Sequence, residues 1–363
     1  MPAYRRLDEE PTKARILDGL GRLRAQLKAE VPARTLDATL LLATWNVREF
    51  DSPAYGTRTR DAQYFIAEVV SHFDLVAVQE VRRDLTALYT LVELLGPDWR
   101  FVMTDATEGR AGNDERMVFL YDSRKVEFTG LAGEVVLPPI VTKVDGRTVT
   151  TPAGQVARTP YTVGFRCGWT TFQLATVHIL WGESVEDSPP RTEEIRQVAG
   201  FLAARADDPV ADRASGLGTL VLLGDFNIFR PESAGLAALG EHGWEVPKEL
   251  QAIGGSNLAG DRKYDQIAVR PDRHWFEPTG RAGVVDYYRS VMRAEDEAAY
   301  RPDMGDAYAA TKAGVARSEA QRHTYYRSYW RTFQMSDHLP LWIEVRTDYA
   351  DEYLAGARGA PPP

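Results

Sequence analysis

Residues 219–227 read TLVLLGDFN, and this stretch decides the fold. A run of five strand-forming residues is closed by Gly224, which is typical of a short strand buried on both faces. Two polar residues, Asp225 and Asn227, follow directly. Because ligands gather at the rim where neighbouring strands of an α/β sheet end, polar residues in this position indicate a functional site there.

The same arrangement occurs on both sides of this stretch. One apolar run ends at Asn46 in TLLLATWN, and another ends at Glu80 in LVAVQE. His178 closes LATVH, and Asp337 and His338 precede the last run in SDHLPLWIEV. Each residue by itself is explained by a turn, a helix cap or a packed histidine. Their repetition at successive strand ends instead predicts one shared site.

Helices and strands alternate along the chain. Strands are predicted at residues 39–45, 73–79, 117–121, 126–131, 161–165, 171–177, 219–223, 265–269 and 341–345. Helices are predicted at residues 12–29, 59–72, 85–95 and 191–205. Since several strands come in adjacent pairs between helices, the order predicts mixed sheets with helices outside them.

The predicted organisation has three parts. Residues 1–36 form an N-terminal helical extension, residues 37–346 the main domain and residues 347–363 a loose C-terminal tail. Residues 286–331 are charged, tyrosine-rich and helical in tendency, and we interpret them as an insertion. The helix at 12–29 has an apolar stripe, so we expect it to pack on the domain or to contact another copy.

Composition narrows the class of protein. The 363 residues, 44% of them hydrophobic, suffice for one large core or two modest ones. Cys167 is the only cysteine, which excludes an intramolecular disulfide and a zinc site built from thiolates. The net charge of −9 gives no general attraction to nucleic acid, and a local basic groove stays open as an alternative. The N-terminus lacks the apolar region of a secretory signal, and no apolar stretch is long enough for a transmembrane segment, so we expect a cytoplasmic protein with no obligate protein partner.

The residue types at the strand ends suit the hydrolysis of a phosphate ester. Such esters resist attack because their charge repels a nucleophile, and a hard divalent cation held by oxygen ligands offsets that charge. Suitable ligands are Asn46, Glu80 and Asp337. A histidine oriented by a carboxylate can take a proton from water near neutral pH. Asn227, His178 and arginine side chains can hold the non-bridging oxygens.

At this point the sequence resembles the endonuclease/exonuclease/phosphatase superfamily, which has the deoxyribonuclease I-like fold. The resemblance runs from about Leu41 to Val345 and rests, in order, on TWNVR, QEVR, ERMVFLYD, ARTPYTVGF, TVHI, GDFN, YDQIAV and SDHLP. It implies an α/β fold, a two-sheet sandwich flanked by helices in four layers. Two positions depart from the pattern: Asn113 replaces a tyrosine of the deoxyribonuclease I branch, and Tyr-Asp-Gln replaces the Cys-Asp-Arg of the inositol-phosphatase branch.

The resemblance also implies a metal site and the residues around it. Asn46 and Glu80 would bind Mg²⁺, for which Mn²⁺ may substitute. Asp337 would support the metal site or the neighbouring histidine. Arg82 and Arg158 match arginines that touch the substrate phosphate.

The remaining residues carry catalytic roles by the same resemblance. His338, oriented by Asp265, would be the base or the histidine that activates the phosphate. His178 would contact the scissile phosphate and pair with the acid Glu115. Asp225 and Asn227 would position water and stabilise the pentacoordinate transition state.

Three functions stay open at this stage. The leading interpretation is a Mg²⁺-dependent phosphodiesterase acting on nucleic acid. The second is a phosphatase or phospholipase acting on a small or lipid phosphoester, and the third is a non-catalytic binding domain on the same scaffold. A nuclease predicts a basic groove at the site, a lipid enzyme predicts exposed apolar loops, and a small-molecule enzyme predicts a closed pocket. The aromatic and arginine residues of the insertion either select the substrate or pack the insertion down; they are Tyr325, Tyr326, Tyr329, Trp330 and Arg331.

Overall fold

Two β-sheets form the centre of the protein, whose computed structural model describes residues 2, 4, 7–108, 112–208, 219–270 and 276–357. The strands of this part of the chain are β1 (Thr39–Phe50), β2 (Leu75–Val81), β3 (Trp99–Met103), β4 (Arg116–Asp122), β5 (Glu127–Glu134), β6 (Ile140–Val144), β7 (Arg147–Thr151), β8 (Tyr161–Cys167), β9 (Thr170–His178), β10 (Thr219–Asp225), β11 (Asp265–Val269), β12 (Glu277–Val284) and β13 (Leu341–Arg346). One sheet has six strands in the order β12-β13-β1-β2-β4-β3, and the other has five in the order β11-β10-β9-β8-β5. Strands β6 and β7 form a separate hairpin.

The helices cover the outer faces of both sheets. They are α1 (Lys13–Glu30), α2 (Arg60–Ser71), α3 (Thr86–Leu95), α4 (Pro189–Ala206), α5 (Ala234–Gly240), α6 (Lys248–Ala252), α7 (Glu297–Met304), α8 (Asp306–Ala309), α9 (Glu319–Thr324), α10 (Arg331–Gln334) and α11 (Ala350–Ala357). A π-helix, Tyr325–Trp330, joins α9 to α10, and short 3-10 turns lie at Leu7–Glu9, Pro53–Tyr55, Tyr287–Arg289 and Ala294–Asp296. Among the described residues, no helix is both long and apolar enough to cross a membrane.

Alternating side chains of β1 divide the apolar interior into two cores. Leu40 and Leu42 pack with side chains of the five-stranded sheet, whereas Leu41, Ala43 and Trp45 pack with side chains of α1, α2 and α3. This division follows from the period of two in a strand, because successive side chains point to opposite faces. Helices α4 and α5 pack on the far side of the five-stranded sheet. The predicted four-layer α/β sandwich is confirmed.

The register of the central strands brings three polar residues together. Strand β10 pairs in parallel with β9, which places Asp225 opposite His178. The same strand pairs antiparallel with β11, which places Asp225 opposite Asp265. Strands β1 and β2 of the other sheet are also parallel, and Asn46 lies opposite Gln79. The register thus places His178, Asp225 and Asp265 at one end of the five-stranded sheet.

The N-terminal helix packs on the domain by one face. Ile16, Leu20 and Leu23 of α1 are buried, whereas Leu17, which the sequence pattern placed in the same stripe, is 48% exposed. Gly19 permits the close approach to α2, because a Cβ at this position would lie 2.5 Å from the ring of Phe65. The structure thus shows intramolecular packing, the first of the two expectations for this helix.

The segments around the domain differ partly from expectation. Residues 287–334 are largely helical, as the composition of the predicted insertion indicated. The tail expected to be loose from residue 347 is ordered at its start, since Thr347 and Tyr349 are buried and α11 follows. Residues 358–363 of that tail lie outside the described part. The domain limits at 36 and 346 remain a prediction.

Candidate active site

Asn46 and Glu80 lie side by side where two neighbouring strands lose their regular register. The pairing of β1 with β2 shifts between Asn46 and Phe50, and that of β2 with β4 shifts between Val78 and Val81. Glu80 has a φ of 63°, in the left-handed region. Such bulges turn a side chain out of the regular alternation and are common beside active sites. They explain why both residues lie within strands, although the sequence placed them at strand ends.

The side chains of these two residues form one hydrogen-bonded pair. Nδ2 of Asn46 donates to Oε1 of Glu80 over 2.8 Å, and the backbone N–H of Glu49 donates to Oε2 of Glu80 over 2.8 Å. Oδ1 of Asn46 is buried and has no hydrogen-bond partner among the described residues. Burial raises the pKa of Glu80, and the nearby carboxylate of Glu115 raises it further. A bound cation would relieve both conditions.

His178 and Glu115 form a buried pair beside this position. Nδ1 of His178 lies 2.7 Å from Oε2 of Glu115, the pairing that the family resemblance implies. Burial acts against the charge on each group, but their attraction outweighs it. The pKa of Glu115 falls to about 2, chiefly through His178, and the pKa of His178 rises through Glu115. The carboxylate thereby fixes the ring and leaves Nε2 facing the site.

His338 and Asp265 form a second pair of the same kind. Nδ1 of His338 lies 2.8 Å from Oδ2 of Asp265, which also accepts a 2.6 Å hydrogen bond from the hydroxyl of Ser256. Burial raises the pKa of Asp265. Burial acts to lower the pKa of His338, but the carboxylates of Asp265 and Asp225 raise it well above the usual value. This ring, too, is held at Nδ1 and presents Nε2.

Asp225 occupies the space between the two histidines. Its Oδ2 lies 3.6 Å from Nε2 of His178 and 3.7 Å from Nε2 of His338. The same oxygen accepts a 3.0 Å hydrogen bond from Nδ2 of Asn46. Its Oδ1 accepts one from the backbone N–H of Asn227 over 2.9 Å. Asn227 has a φ of 54°, and its Nδ2 donates to the carbonyl of Ile179 over 2.8 Å. These hydrogen bonds hold the GDFN loop in place against the residue that follows β9.

Two acidic clusters result from this arrangement. Glu80, Glu115 and His178 bring ligand atoms within 4.8 Å of one another, and so do Asp225, Asp265 and His338. Carboxylate and amide oxygens at this density are the ligands of a hard divalent cation such as Mg²⁺ or Mn²⁺. The site can therefore hold a cation beside two oriented imidazoles.

Comparison with known proteins identifies the family of this chain. The model of the Endonuclease/Exonuclease/phosphatase family matches residues 43–338. The chain belongs to this family.

The relatives of this family member include a curated protein and solved structures. A deoxyribonuclease of Thioalkalivibrio sp. (strain K90mix) is 30% identical over 261 residues, which cover 69% of this chain and 63% of that protein. The match thus spans less than two thirds of that relative's length. The endonuclease/exonuclease/phosphatase from Bacteroides vulgatus aligns with a TM-score of 0.51 at 15% identity, covering 85% of this chain and 99% of the other. The TDP2 structure of D. rerio, complexed with single strand DNA product, aligns with a TM-score of 0.51 at 13% identity over 85% and 99% of the two chains. These two likenesses show the shared fold.

The two arginines predicted to touch phosphate both lie against Glu115. Arg158 places Nε 2.9 Å from Oε2 of Glu115, and its Nη1 is buried without a hydrogen-bond partner among the described residues. Arg82 places Nη2 2.5 Å from Oε1 of Glu49 and 3.9 Å from Oε1 of Glu115, and its Nη1 donates to the carbonyl of Asn113. The family member thus carries a buried arginine, Arg82, and a partly buried one, Arg158, at the edge of the cluster.

Among the predicted acidic and histidine residues of the site, Asp337 alone lies outside both clusters. Its side chain is 40% exposed, and Oδ2 lies 3.4 Å from Nη1 of Arg48. The SDH turn directs His338 inward and Asp337 toward the rim. Asp337 is therefore placed to influence the site through charge, and its negative charge contributes to the raised pKa of His338.

Several residues of the site were not singled out from the sequence. The hydroxyl of Ser336 donates to the carbonyl of Asn46 over 2.6 Å and accepts from the backbone N–H of His338 over 3.0 Å. The ring centroid of Tyr264 lies 5.4 Å from that of His338. Both residues belong to quoted motifs, SDHLP and YDQIAV, so attention to the neighbours of the predicted residues would have found them. Ser256 lies in a loop whose sequence gives no signal.

A buried glutamine links the two sheets beneath the site. Nε2 of Gln79 donates to the hydroxyl of Thr176 over 2.9 Å and to that of Thr44 over 3.1 Å. Gln79 and Thr44 belong to the six-stranded sheet, and Thr176 belongs to the five-stranded sheet. All three side chains are fully buried. The two halves of the site are thus joined directly below the cluster.

Proposed function

We propose that this family member is a Mg²⁺-dependent nuclease that hydrolyses a phosphodiester by in-line attack of water. The observation that carries this proposal is the position of Asp225. Its Oδ2 faces Nε2 of both His178 and His338 and also contacts the Asn46 amide. A carboxylate between two oriented imidazoles, next to a cluster of oxygen ligands, can supply both the proton transfer and the charge stabilisation that phosphoester hydrolysis uses.

The metal would be held by Asn46 and Glu80. The buried, unpartnered Oδ1 of Asn46 and the carboxylate of Glu80, whose pKa burial raises, fit a hard cation. Mn²⁺ can replace Mg²⁺ because both prefer oxygen ligands. When bound, the cation offsets the negative charge of the phosphate and stabilises the leaving oxygen. Asp337 would support the site from the rim through its charge, since its carboxylate lies outside both clusters.

The protein side chains would handle the attacking water and the phosphate oxygens. Asp225 orients the water through Oδ2 and accepts its proton, since that oxygen points into the space between the histidines. Each imidazole is held at Nδ1 by a carboxylate and can donate from Nε2 to a non-bridging oxygen. Asn227, fixed by its bond to Ile179, supports the same transition state. Arg158 and Arg82 would bind the substrate phosphate.

A nucleic acid is the substrate that the surroundings of the site favour. The relative with 30% identity is a deoxyribonuclease. Beside His338, the rings of Tyr264, Phe229 and Trp181 form a continuous aromatic edge, and Trp181 is 39% exposed. Arg262 lies over Phe229, 4.7 Å from the ring centroid. Aromatic faces with arginines between them bind bases and phosphates together.

A panel of substrates tests the proposal. The purified chain is assayed with Mg²⁺ or Mn²⁺ on single-stranded DNA, duplex DNA, RNA, inositol phosphates and phospholipid vesicles. The same reactions contain His338→Ala as a control for contaminating activity. We expect hydrolysis of nucleic acid that stops with a chelator, returns with Mg²⁺ and falls about 10²–10⁴-fold in the variant.

Other outcomes contradict parts of the proposal. Hydrolysis that resists the chelator excludes the metal mechanism. Equal rates in wild type and His338→Ala exclude the assigned site. Cleavage of inositol phosphates or phospholipids with no cleavage of nucleic acid replaces the nuclease with a phosphatase or phospholipase.

A further inference from the structure

A row of aromatic and arginine side chains leads away from the proposed active site. It begins at Arg48, two residues after Asn46, whose Nη1 lies 3.4 Å from the carboxylate of Asp337. The guanidinium carbon of Arg48 lies 3.9 Å above the ring centroid of Phe333. The ring of Phe333 stacks on that of Tyr55, with centroids 3.7 Å apart and an interplanar angle of 12°.

The row continues into the predicted insertion. The ring of Tyr329 lies 4.9 Å from that of Phe333 and 6.2 Å from that of Tyr55. Tyr325 stacks on Tyr329 at 5.4 Å with an angle of 29°, and the guanidinium of Arg317 lies 4.6 Å above Tyr325. We call this set the stacking row; its members are Arg48, Phe333, Tyr55, Tyr329, Tyr325 and Arg317.

The far end of the stacking row lines a cavity of about 950 Å³. Three of its walls are the rings of Tyr55, Tyr325 and Tyr329. Lys312 and Arg317 also line it, against one carboxylate, that of Asp306. Thr311, Gln321, Thr324 and Ser328 add hydrogen-bonding groups. The cavity therefore offers aromatic faces, positive charge and polar contacts together, although the whole chain is acidic.

The aromatic residues of this region divide into two sets by exposure. Tyr326 and Trp330 are buried in the core beneath the insertion, whereas Tyr329 and Tyr55 are each 40% exposed. The two exposed rings meet edge to face at the surface, and Tyr55 stacks on the buried ring of Phe333. Tyr325 and Tyr329 also belong to a π-helix, a rare local geometry that is frequent at functional sites. Packing in the core explains the buried rings of Tyr326 and Trp330. It does not explain why the rings of Tyr329 and Tyr55 face solvent.

We propose that this cavity binds unpaired bases of a single-stranded polynucleotide whose scissile phosphate lies at Asp225. The inference rests on the proposed function and adds the substrate class. Bases of a single strand can stack on tyrosine faces, and cations beside them bind the intervening phosphates. The bases of a duplex are already stacked on one another and offer no free face. Through its contact with Phe333, Arg48 links the cavity to Asp337 at the rim of the site.

Binding measured without metal tests this subsite separately from catalysis. Fluorescence anisotropy in a chelator follows fluorescein-labelled 12-nucleotide single-stranded DNA, the matching RNA and the matching duplex. Tyr329→Ala and Tyr55→Ala are compared with wild type, and Tyr89→Ala serves as the control because Tyr89 is 57% exposed on α3, outside the cavity. We expect single strands to bind about tenfold more weakly to both cavity variants. Affinity for the control stays as in wild type.

A second variant and a second readout guard against misfolding. Lys312→Glu changes an exposed charge of the cavity and leaves every ring in place, so it too lowers affinity for single strands. Hydrolysis of bis(p-nitrophenyl) phosphate with Mg²⁺ stays equal in wild type, Tyr329→Ala and Lys312→Glu, because this small diester does not reach the cavity.

Several results overturn the subsite. The subsite is contradicted if Tyr329→Ala and Lys312→Glu bind both DNA and RNA as tightly as wild type does. It is also contradicted if the wild type binds duplex and single strand equally. If these variants lose binding to anionic phospholipid vesicles but not to oligonucleotides, the surface binds lipid instead. If wild type hydrolyses neither the small diester nor the oligonucleotides, the proposed function fails, and the anisotropy result still decides the subsite.

Discussion

Nδ2 of Asn46 donates a 3.0 Å hydrogen bond to Oδ2 of Asp225. The two residues lie on different sheets, Asn46 on β1 and Asp225 on β10. The amide also contacts Glu80, so it stands between the proposed metal ligand and the proposed water-orienting carboxylate. Loss of either neighbour should therefore affect a different step, and each can be tested by itself.

Asp225→Asn should lower turnover with little change in folding. The substitution keeps the volume but removes the proton acceptor between His178 and His338, so we expect kcat to fall about 10³-fold, within the usual range for such a group. Initial rates on the preferred substrate and circular dichroism melting check this. Asp105→Asn is the matched control, because the side chain of Asp105 is 91% exposed. A kcat within a few-fold of wild type would remove Asp225 from the mechanism.

Divalent metal should stabilise the wild-type fold, and Glu80→Gln should abolish that effect. A ligand that binds the native state at about 100 times its dissociation constant adds about 2.7 kcal/mol to the free energy of unfolding. In Glu80→Gln a charged oxygen ligand is lost, so Mg²⁺ or Mn²⁺ should give no such gain. Thermal melting with and without metal measures the difference, and Glu127→Gln, at an exposed pair, is the control. Equal stabilisation of both variants would place the metal elsewhere.

Glu115→Gln should lower the pKa of His178. The carboxylate of Glu115 raises that pKa against the effect of burial, so its neutral replacement leaves burial to favour the uncharged ring. NMR titration of the imidazole nitrogens in metal-free protein gives the pKa directly. We also expect kcat to fall about 10–100-fold, because the ring loses the partner that orients it. The pKa of His338, which pairs with Asp265, should change less.

Arg34→Met should weaken the fold most above pH 5. Arg34 donates to Asp74 and Asp122 over 2.6 Å each, in a buried network far from the site. Burial acts to raise the pKa of Asp122, but Arg124 and Arg34 lower it well below the usual range. A lowered pKa in the folded state stabilises at pH values above the unfolded pKa, about 3.9, and this gain disappears as the pH falls through the folded pKa.

The expected loss is about 1–3 kcal/mol at pH 7 and becomes smaller below pH 4. Urea unfolding at several pH values measures it. Arg166→Met is the control, since its ion pair with Glu127 is exposed and contributes little. A loss that stays constant from pH 7 to pH 3 would contradict the assignment to Asp122.

Much of the fold could be predicted because its central strands are strongly patterned. The runs ending near Asn46, Glu80 and His178 are buried on both faces and carry mostly apolar sequence. Strand β12 (EPTGRAGV) was not predicted because a proline and two glycines remove the pattern, and it pairs with β13 only around an irregularity. The β6–β7 hairpin was not predicted either, although Asp145-Gly146 between two β-branched runs is a typical hairpin sequence. Both residues have positive φ in the tight turn.

The site residues on strongly patterned strands could also be predicted, and those on turns and loops could not. Residues delivered by paired strands, such as Asp225, His178 and Asp265, converge because register fixes them. Asp337 did not join the clusters, since a turn decides which of two adjacent polar residues faces inward, and sequence spacing does not encode that choice. Ser256 reaches the site through a loop, where a local sequence carries no information about a partner nine residues away.

The hydrogen bonds of Gln79 have a consequence for how the protein loses activity on heating. Because Gln79 ties Thr44 to Thr176 under the proposed catalytic groups, separating the sheets at the site breaks the buried hydrogen bond from Gln79 to Thr176. Inactivation and melting should thus share one temperature and one cooperative transition. We therefore expect the proposed site to stay intact until the two sheets separate.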